Sequence, residues 1–353
     1  MGSGKVWGGV DIGGTKTAVV LSSTPPAMLR RIVFPTEQAN GPYPALKLII
    51  SSLRAALFEC SLDASDLHSI GVSCGSPLDP IKGIIQSPPN LPTWKNVEIK
   101  SILEEEFQVP CFLENDANAG ALAEYWYGAG SGCRSMVFLT MGTGLGAGLI
   151  LDGRLYRGIS NLAGEIGHVR LSPDGPMGYG KSGSAEGWAS GGGMARLAES
   201  AVLAAVSSGE TTGLSAGSDG KSPLFTAQRV WELAQRGDEV ARRVVNTSAK
   251  RFGEVLAILI DLLNPERIVV GGLALRMGEA LLGPAREVVR REALAESVSA
   301  CRIVPAALHE EIGDVAAICV ALNAEKESTA HKPSVSVATR QLNAVEAPGQ
   351  AKD

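Results

Sequence analysis

The sequence predicts an α/β protein made of two duplicated α/β domains that face one another across a cleft. Two segments carry this reading. Val6–Leu21, VWGGVDIGGTKTAVVL, reads as an apolar strand, a tight glycine turn and a second apolar strand. Met136–Leu151, MVFLTMGTGLGAGLIL, repeats the pattern. The residues after each turn are apolar or β-branched, so each turn joins strand to strand. A dinucleotide site or a P-loop would instead run from a strand into a helix. Glycines in such turns accept positive φ and leave room for a bulky anion against the backbone N–H groups. Two of them in one chain predict a repeated unit that grips a nucleotide from both sides. The 353 residues are enough to bury two cores.

Along the chain, strands are expected at 6–12, 16–22 and 29–35. Pro42–Cys60 sets Leu46, Ile49, Ile50, Leu53 and Leu57 on one side of a helix. His68–Ser73 is the next strand and runs into the loop CGSPLD. Pro110–Leu113 is another, followed by a helix from Ala117 to about Tyr127. The second unit opens at Ser135 as a strand meander reaching about Val169. Ala185–Ser207 and Gln228–Leu263 read as mainly helical, and Arg267–Gly271, RIVVG, as a short buried strand. The segment 303–323 supplies a strand and a helix. Ser207–Ser222, SSGETTGLSAGSDGKS, is polar and glycine-rich and reads as a mobile insertion. From about Lys326 the core pattern stops, and 326–353 is expected to be a disordered tail.

Composition narrows the function. The formal net charge of −5 argues against nucleic acid as a primary partner. No apolar run approaches the ~20 residues that cross a bilayer. No signal-peptide core precedes Val6, and MGSGKV lacks the Ser or Thr of a myristoylation signal. A cytoplasmic protein without a membrane partner is expected. The six cysteines form no CxxC pair and read as reduced packing thiols.

Two carboxylates stand out. Asp11 ends the first strand beside Gly13, Gly14, Thr15 and Lys16, where it can hold the water shell of a magnesium ion. Asp116 follows a strand and opens a helix, so it points from a strand end into the cleft. There it can orient a hydroxyl and accept its proton. The helix N-terminus is expected to lower its pKa, which suits a dissociative phosphoryl transfer in which the proton leaves late. The competing reading makes Asp116 an ordinary N-cap. Glu165 and His168, three apart, can face the same side of a turn, although a lone histidine is commonly structural.

DIGGTK at Asp11–Lys16, ENDANA at Glu114–Ala119, GTGLGAG around Thr143–Gly148 and EIGH at Glu165–His168 occur in this order. The series resembles the ROK family of bacterial sugar kinases over roughly residues 5 to 323. The resemblance implies the actin-like ATPase (ribonuclease H-like) fold. Its small domain would span 1–116, completed by a C-terminal helix near 310–325, and its large domain 117–309. It implies ATP and Mg2+ as cofactors, Asp116 as the catalytic base, and a homodimer. Sugar contacts would come from Gly75, Ser76, Asn90, Asn115, Asp116, Glu165, His168 and Glu186. Nucleotide contacts would come from Asp11, Gly13, Gly14, Thr15, Lys16, Thr143, Gly144, Gly271 and Gly272. The chain departs from the family after EIGH, where CxCGxxGCxE normally supplies three zinc ligands. Here the segment is MGYGKSGSAE, so Met177, Tyr179 and Ser184 stand at the cysteine positions. None is a good zinc ligand, and His168 alone cannot build a tetrahedral site. No zinc is expected, and Tyr179 and Trp188 are expected to hold the loop by packing.

The first function reading is an ATP-dependent hexose kinase, most simply a glucokinase. An N-acetylmannosamine, N-acetylglucosamine or fructose kinase is the alternative enzyme. A sugar-responsive transcriptional regulator is the alternative of another class. Against it, about ten residues precede the first glycine turn, where a helix-turn-helix module needs roughly sixty. A catalytically dead sugar sensor is a third class, and the presence of Asp11, Lys16, Asn115 and Asp116 speaks against it.

Overall fold

The computed structural model describes residues 5–37, 40–215 and 225–330. The first unit runs β1 (Val6–Ile12), β2 (Lys16–Ser22), β3 (Arg30–Pro35), α1 (Pro42–Glu59), β4 (Leu67–Cys74), a small hairpin of β5 (Leu78–Asp79) and β6 (Ile84–Ile85), α2 (Ile99–Phe107) and β7 (Cys111–Asn115). Helix α3 (Asp116–Tyr127) leads to the second unit. There follow β8 (Met136–Met141), β9 (Leu145–Leu151), β10 (Arg154–Tyr156) and the hairpin β11 (Met177–Gly178) with β12 (Lys181–Ser182). Helices α4 (Ala185–Ala189), α5 (Gly191–Ser207), α6 (Ala227–Gln235) and α7 (Glu239–Leu263) come next. The chain closes with β13 (Arg267–Val270), α8 (Leu273–Met277), α9 (Glu279–Glu292), α10 (Ala295–Ala300), β14 (Arg302–Pro305) and α11 (Ile312–Ala330).

The two sheets share one topology. The first has the order β3-β2-β1-β4-β7 and the second β10-β9-β8-β13-β14. In each, three strands form an antiparallel meander and two more join in parallel after helical crossovers. Each meander opens with a three-residue glycine turn, Gly13–Thr15 in one sheet and Gly142–Gly144 in the other. The repeat of the strand–turn–strand motif is therefore a repeat of the whole sheet.

One apolar core lies between the first sheet and helices α1 and α2. A second lies under the other sheet, against α4 to α9. A third joins α3 and α11 to residues of the second sheet. Helix α11 packs on β1 and β4 as well as α3. It comes so near the first sheet that a Cβ on Gly71 would overlap the carbonyl of Ala317. Glycine at 71 is the condition for that backbone-to-backbone approach.

The two stretches expected to be mainly helical are so, each with one break, and two other expectations need correction. The 185–207 stretch is two helices broken at Ser190, whose hydroxyl caps α5 by accepting from Gly193 N–H at 2.9 Å. The 228–263 stretch likewise breaks before α7, which Asp238 caps through Ala241 N–H. That same Asp238 accepts from Thr212 Oγ1 and Gly213 N–H. The start of the expected mobile insertion is therefore pinned, with Leu214 fully buried. Residues 216–222 of it lie outside the described residues. Residues 326–330 of the expected disordered tail are instead helical, because α11 continues to Ala330. Contacts hold that last turn: Glu327 accepts from Asn323 and Arg157, and Lys326 lies over the Trp126 ring. Residues 331–353 lie outside the described residues.

Candidate active site

Both glycine turns close on themselves. Gly13 N–H donates to the Lys16 carbonyl at 3.0 Å, and Gly142 N–H donates to the Gly144 carbonyl at 3.0 Å. Thr36 Oγ1 braces the first turn by donating to the Gly13 carbonyl. Gly14 lies against Asn90, where a Cβ would come within 2.6 Å of the Asn90 carbonyl oxygen. Gly191 and Gly192, at the start of α5, support the second turn by donating to the carbonyls of Gly142 and Thr143. Gly272, at φ 67°, follows β13 and touches the Met141 backbone so closely that any Cβ would overlap it.

Between the turns lies a cavity of about 650 Å³. Of the residues expected at the nucleotide, Asp11, Lys16, Thr143, Gly271 and Gly272 line it. Gly13, Gly14, Thr15 and Gly144 stay in the turns at its edge. Sequence reasoning missed Gly191 and Gly192, Arg276 on α8, and Arg31, Gly313 and Asp314 across the fold. The run GGG at 191–193 was a visible signal for the first two. The others are brought in by tertiary contacts alone. Asp314 is buried and pairs with Arg31, and a Cβ on Gly313 would run into the Asp11 carboxylate.

Burial raises the Asp11 carboxyl from the ordinary 3.8 to about 6. The charges of Asp116 and Asp314 add to the rise, while a hydrogen bond from Ser73 and the charge of Lys16 oppose it. The folded chain thus holds this proton more tightly than the unfolded chain. Its stabilising contribution is present below the unfolded pKa and is lost as pH rises through about 6. Above that, the buried charge costs at most ~3 kcal/mol. Asp11→Asn is therefore expected to raise Tm near pH 8, to gain little at about pH 4, and to impair turnover. Thermal unfolding of both proteins across that range checks this. A lower Tm for the variant near pH 8 would contradict it.

The sugar-type residues converge beside this cavity. Asn115, the last residue of β7, caps α3: its Oδ1 accepts from Ala117 N–H at 2.9 Å and Asn118 N–H at 3.4 Å. Its amide donates to Ser76 Oγ at 2.7 Å. Asn115 is thus the N-cap, which leaves Asp116 in the first helical position with its carboxylate open to the cleft. The protein crowds this carboxylate all the same. Desolvation raises its pKa, and the hydrogen bond from Ala117 N–H opposes the rise. The expected lowering by the helix N-terminus is corrected: burial outweighs it.

Glu165 is raised as well, first by burial and then by the charges of Glu186 and Asp116, while His168 lowers it. These four groups therefore share one electrostatic neighbourhood. The turn Ile166–His168 packs on Glu186, since a Cβ on Gly167 would lie 3.3 Å from the Glu186 Cβ. Glu186 Oε2 accepts from Leu145 N–H at 3.1 Å, which ties it to the second glycine turn. Gly75 borders Asn90, with the Asn90 Oδ1 3.5 Å from where its Cβ would be.

The loop at 177–184 is held mainly by contacts to the residues around it. The Tyr179 ring meets His168 edge-on at 4.9 Å between centroids. Ser184 Oγ accepts from Gly187 N–H and caps α4. Lys181 Nζ donates to the His168 carbonyl at 2.7 Å. Trp188 donates to Ser172 Oγ and lies under the Arg251 guanidinium, 4.7 Å from the ring centroid. The Met177 side chain is half exposed, and its backbone pairs with Ser182 in the β11–β12 hairpin.

Comparison with known proteins gives the family and the fold. The ROK family profile matches residues 7–324. The glucokinase of Halalkalibacterium halodurans is 34% identical over 281 residues, 79% of this chain and 83% of that protein. The glucokinase of Thermotoga maritima is 32% identical over 313 residues, 88% and 96% of the two chains. A xylose repressor of Caldicellulosiruptor bescii is 28% identical over 80% of this chain and 69% of its own. Among solved structures, the ROK hexokinase of Thermus thermophilus superposes with a TM-score of 0.75 at 31% identity, covering 91% of this chain and 99% of that one. The ROK glucokinase of Streptomyces griseus in complex with glucose and AMPPNP superposes at 0.70 with 31% identity, covering 89% and 97%. The fold is that of these kinases, the actin-like ATPase fold, and the chain belongs to the ROK family.

Proposed function

We propose that the protein transfers the γ-phosphoryl group of ATP to a hexose hydroxyl, most simply converting glucose to glucose 6-phosphate. One observation supports this above the rest. Asp116 opens onto the cleft between two sets of groups: Glu165, His168 and Glu186 on one side, and Asp11 with the glycine-turn cavity on the other. A polyol needs several donors and acceptors at once, because each unpaired buried hydroxyl is costly. The first set, with Asn90, Gly75 and Ser76, offers them. The backbone N–H groups of Gly13–Lys16 and Thr143–Gly144 offer donors to phosphate oxygens, and Lys16 adds a positive charge. Asp116 accepts the proton of the attacking hydroxyl. Its raised pKa makes it a stronger base than an ordinary carboxylate.

Burial first, and then the charges of Asp116 and Asp314, raise Asp11. Among the described residues no three such side chains stand together as a direct ligand set, so Asp11 would hold a divalent cation chiefly through water. Hard carboxylate oxygens suit magnesium held largely through water, with Asp11 as its anchor. When bound, magnesium would offset the negative charge of the phosphate groups.

A sugar-responsive regulator is the reading of another class, because a xylose repressor is among the relatives. Such a protein needs a sugar site but no nucleotide cleft. The cavity between the two glycine turns favours the kinase. A coupled assay of ADP formation with glucose, N-acetylmannosamine, N-acetylglucosamine and fructose tests the proposal. Sugar-dependent ADP release supports it and names the substrate. Tight sugar binding with no turnover on ATP would overturn it in favour of the regulator or a sensor.

The purified protein is expected to hold no stoichiometric zinc, because Met177, Tyr179 and Ser184 occupy the family's cysteine positions. Elemental analysis finding one zinc per chain, lost together with stability on chelation, would refute this.

A further inference from the structure

Arg157 lies at the end of β10, outside the candidate active site, yet it connects the two parts of the chain that carry the site's acidic residues. Its Nε donates to Glu114 Oε2 at 2.7 Å, and its Nη1 donates to Glu327 Oε1 at 2.8 Å. Glu114 is on β7 in the first sheet, and its side chain is only 4% exposed. Glu327 is on the last turns of α11. The second oxygen of Glu114 is also committed: Oε1 accepts from Asn115 N–H at 3.0 Å and from Asn118 Nδ2 at 2.9 Å. Those two residues flank Asp116.

Arg157 is also the first residue of the loop that ends at Glu165. The loop closes on it, because Ala163 N–H donates to the Arg157 carbonyl at 2.9 Å. Gly164 then lies flush against the Ala147 backbone at φ 92°. A shift of the guanidinium would thus be felt at both ends, in the β7–α3 corner and in the Glu165 loop.

We propose that Arg157 is a positioning residue for phosphoryl transfer, holding the Asp116 corner and the Glu165 loop in one register through Glu114. This rests on the sugar-kinase reading. A general base and the contacts that place the hydroxyl must share one frame, since a misplacement of about 1 Å can cost roughly a hundredfold in rate. The pair is mostly buried and bridges two strands of different sheets. A guanidinium satisfies two carboxylates from a fixed plane, which a lysine ammonium cannot reproduce.

Removing Arg157 alone leaves Glu114 charged and buried, which is strongly destabilising by itself. The decisive protein is therefore the double variant Glu114→Gln/Arg157→Met, in which the charge is gone while the amide oxygen can still accept from Asn115 and Asn118. Its Tm is expected to stay near that of the wild type. Its kcat/KM for the sugar is expected to fall by about tenfold or more, with KM for ATP unchanged because the nucleotide cavity does not include Arg157. Arg157→Lys is expected to fall between the double variant and the wild type. Guanidinium ion added to Arg157→Ala is expected to restore part of the sugar turnover without raising Tm. A double variant with wild-type kcat and sugar KM would overturn the proposal, as would an equal loss in the ATP and sugar parameters. Wild-type protein is assayed in parallel. If it phosphorylates no sugar, the kinase reading fails. The positioning proposal then fails with it, whereas in a wild type that does phosphorylate a sugar an unaffected double variant overturns the proposal alone.

Discussion

Asp116→Asn is expected to lower kcat by at least ~100-fold while leaving KM for the sugar within a few-fold and Tm nearly unchanged. The geometry separates these quantities. Asn115, not Asp116, caps α3, so the helix keeps its N-terminal hydrogen bonds in the variant. An amide at 116 still accepts from Ala117 N–H through its oxygen, as Asp116 does at 2.8 Å. What it cannot do is take a proton. Loss confined to kcat is the signature of an interaction made only in the transition state. The pH profile gives a second reading. Asp116 and Asp11 both act as carboxylates, and both titrate above the usual range, Asp11 at about 6. Activity in the wild type should therefore decline on acidification at a higher pH than an ordinary carboxylate would allow. Stability moves the other way there, since protonating Asp11 favours the folded state. An acid limb in kcat without a fall in Tm identifies titration of the site. A variant with near-normal kcat would remove Asp116 from the mechanism.

Much of this architecture is legible in the residues because the constraint is local. A three-residue turn between two apolar strands needs glycine whatever surrounds it, and Gly13–Gly14 and Gly142–Gly144 announce both sheets. Ile99, Leu103 and Phe107 recur at helical spacing and are all buried, so α2 was equally readable although no helix was expected there. The cap was readable too. Asn is among the strongest N-cap residues, and its place at 115 marks the start of α3. The hydrogen bonds that Asn115 makes to its own helix fix its side chain at the edge of the cleft. Other features have no local signal. The raised pKa of Asp116 comes from crowding by distant segments, which a helix-terminus argument cannot weigh. Arg31 and Asp314 meet across 283 positions of sequence, and Arg157 reaches Glu327 across 170. Such pairs follow from α11 packing across β1, β4 and α3, and they become visible only when that packing is known.

The second large effect concerns water. ATP hydrolysis in the absence of sugar is expected to be at least ~1000-fold slower than sugar phosphorylation, and sugar is expected to contract the molecule. The two glycine turns belong to different sheets, so phosphate oxygens are gripped from both sides only when the sheets approach. The sugar-type residues divide the same way. Ser76, Asn90 and Asn115 come from the first unit, and Glu165, His168 and Glu186 from the second. A sugar that bonds both sets binds the closed arrangement better than the open one, and that difference is the free energy available to drive closure. Helices α3 and α11 lie between the units. They share one buried cluster, in which Ala119, Ala121, Leu122 and Ala123 of α3 lie with Val315, Ala316, Cys319 and Val320 of α11. Interfaces of this kind slide by small shear steps rather than by unpacking. Closure would shield Asp116 from bulk water and raise its basicity further, while excluding the one competing acceptor present at high concentration. Small-angle scattering with and without the true substrate should show a smaller radius of gyration in its presence, and ADP release without sugar should stay near background. An unchanged radius together with rapid sugar-independent hydrolysis would show that the cleft is already assembled and that the sugar contributes only as a nucleophile.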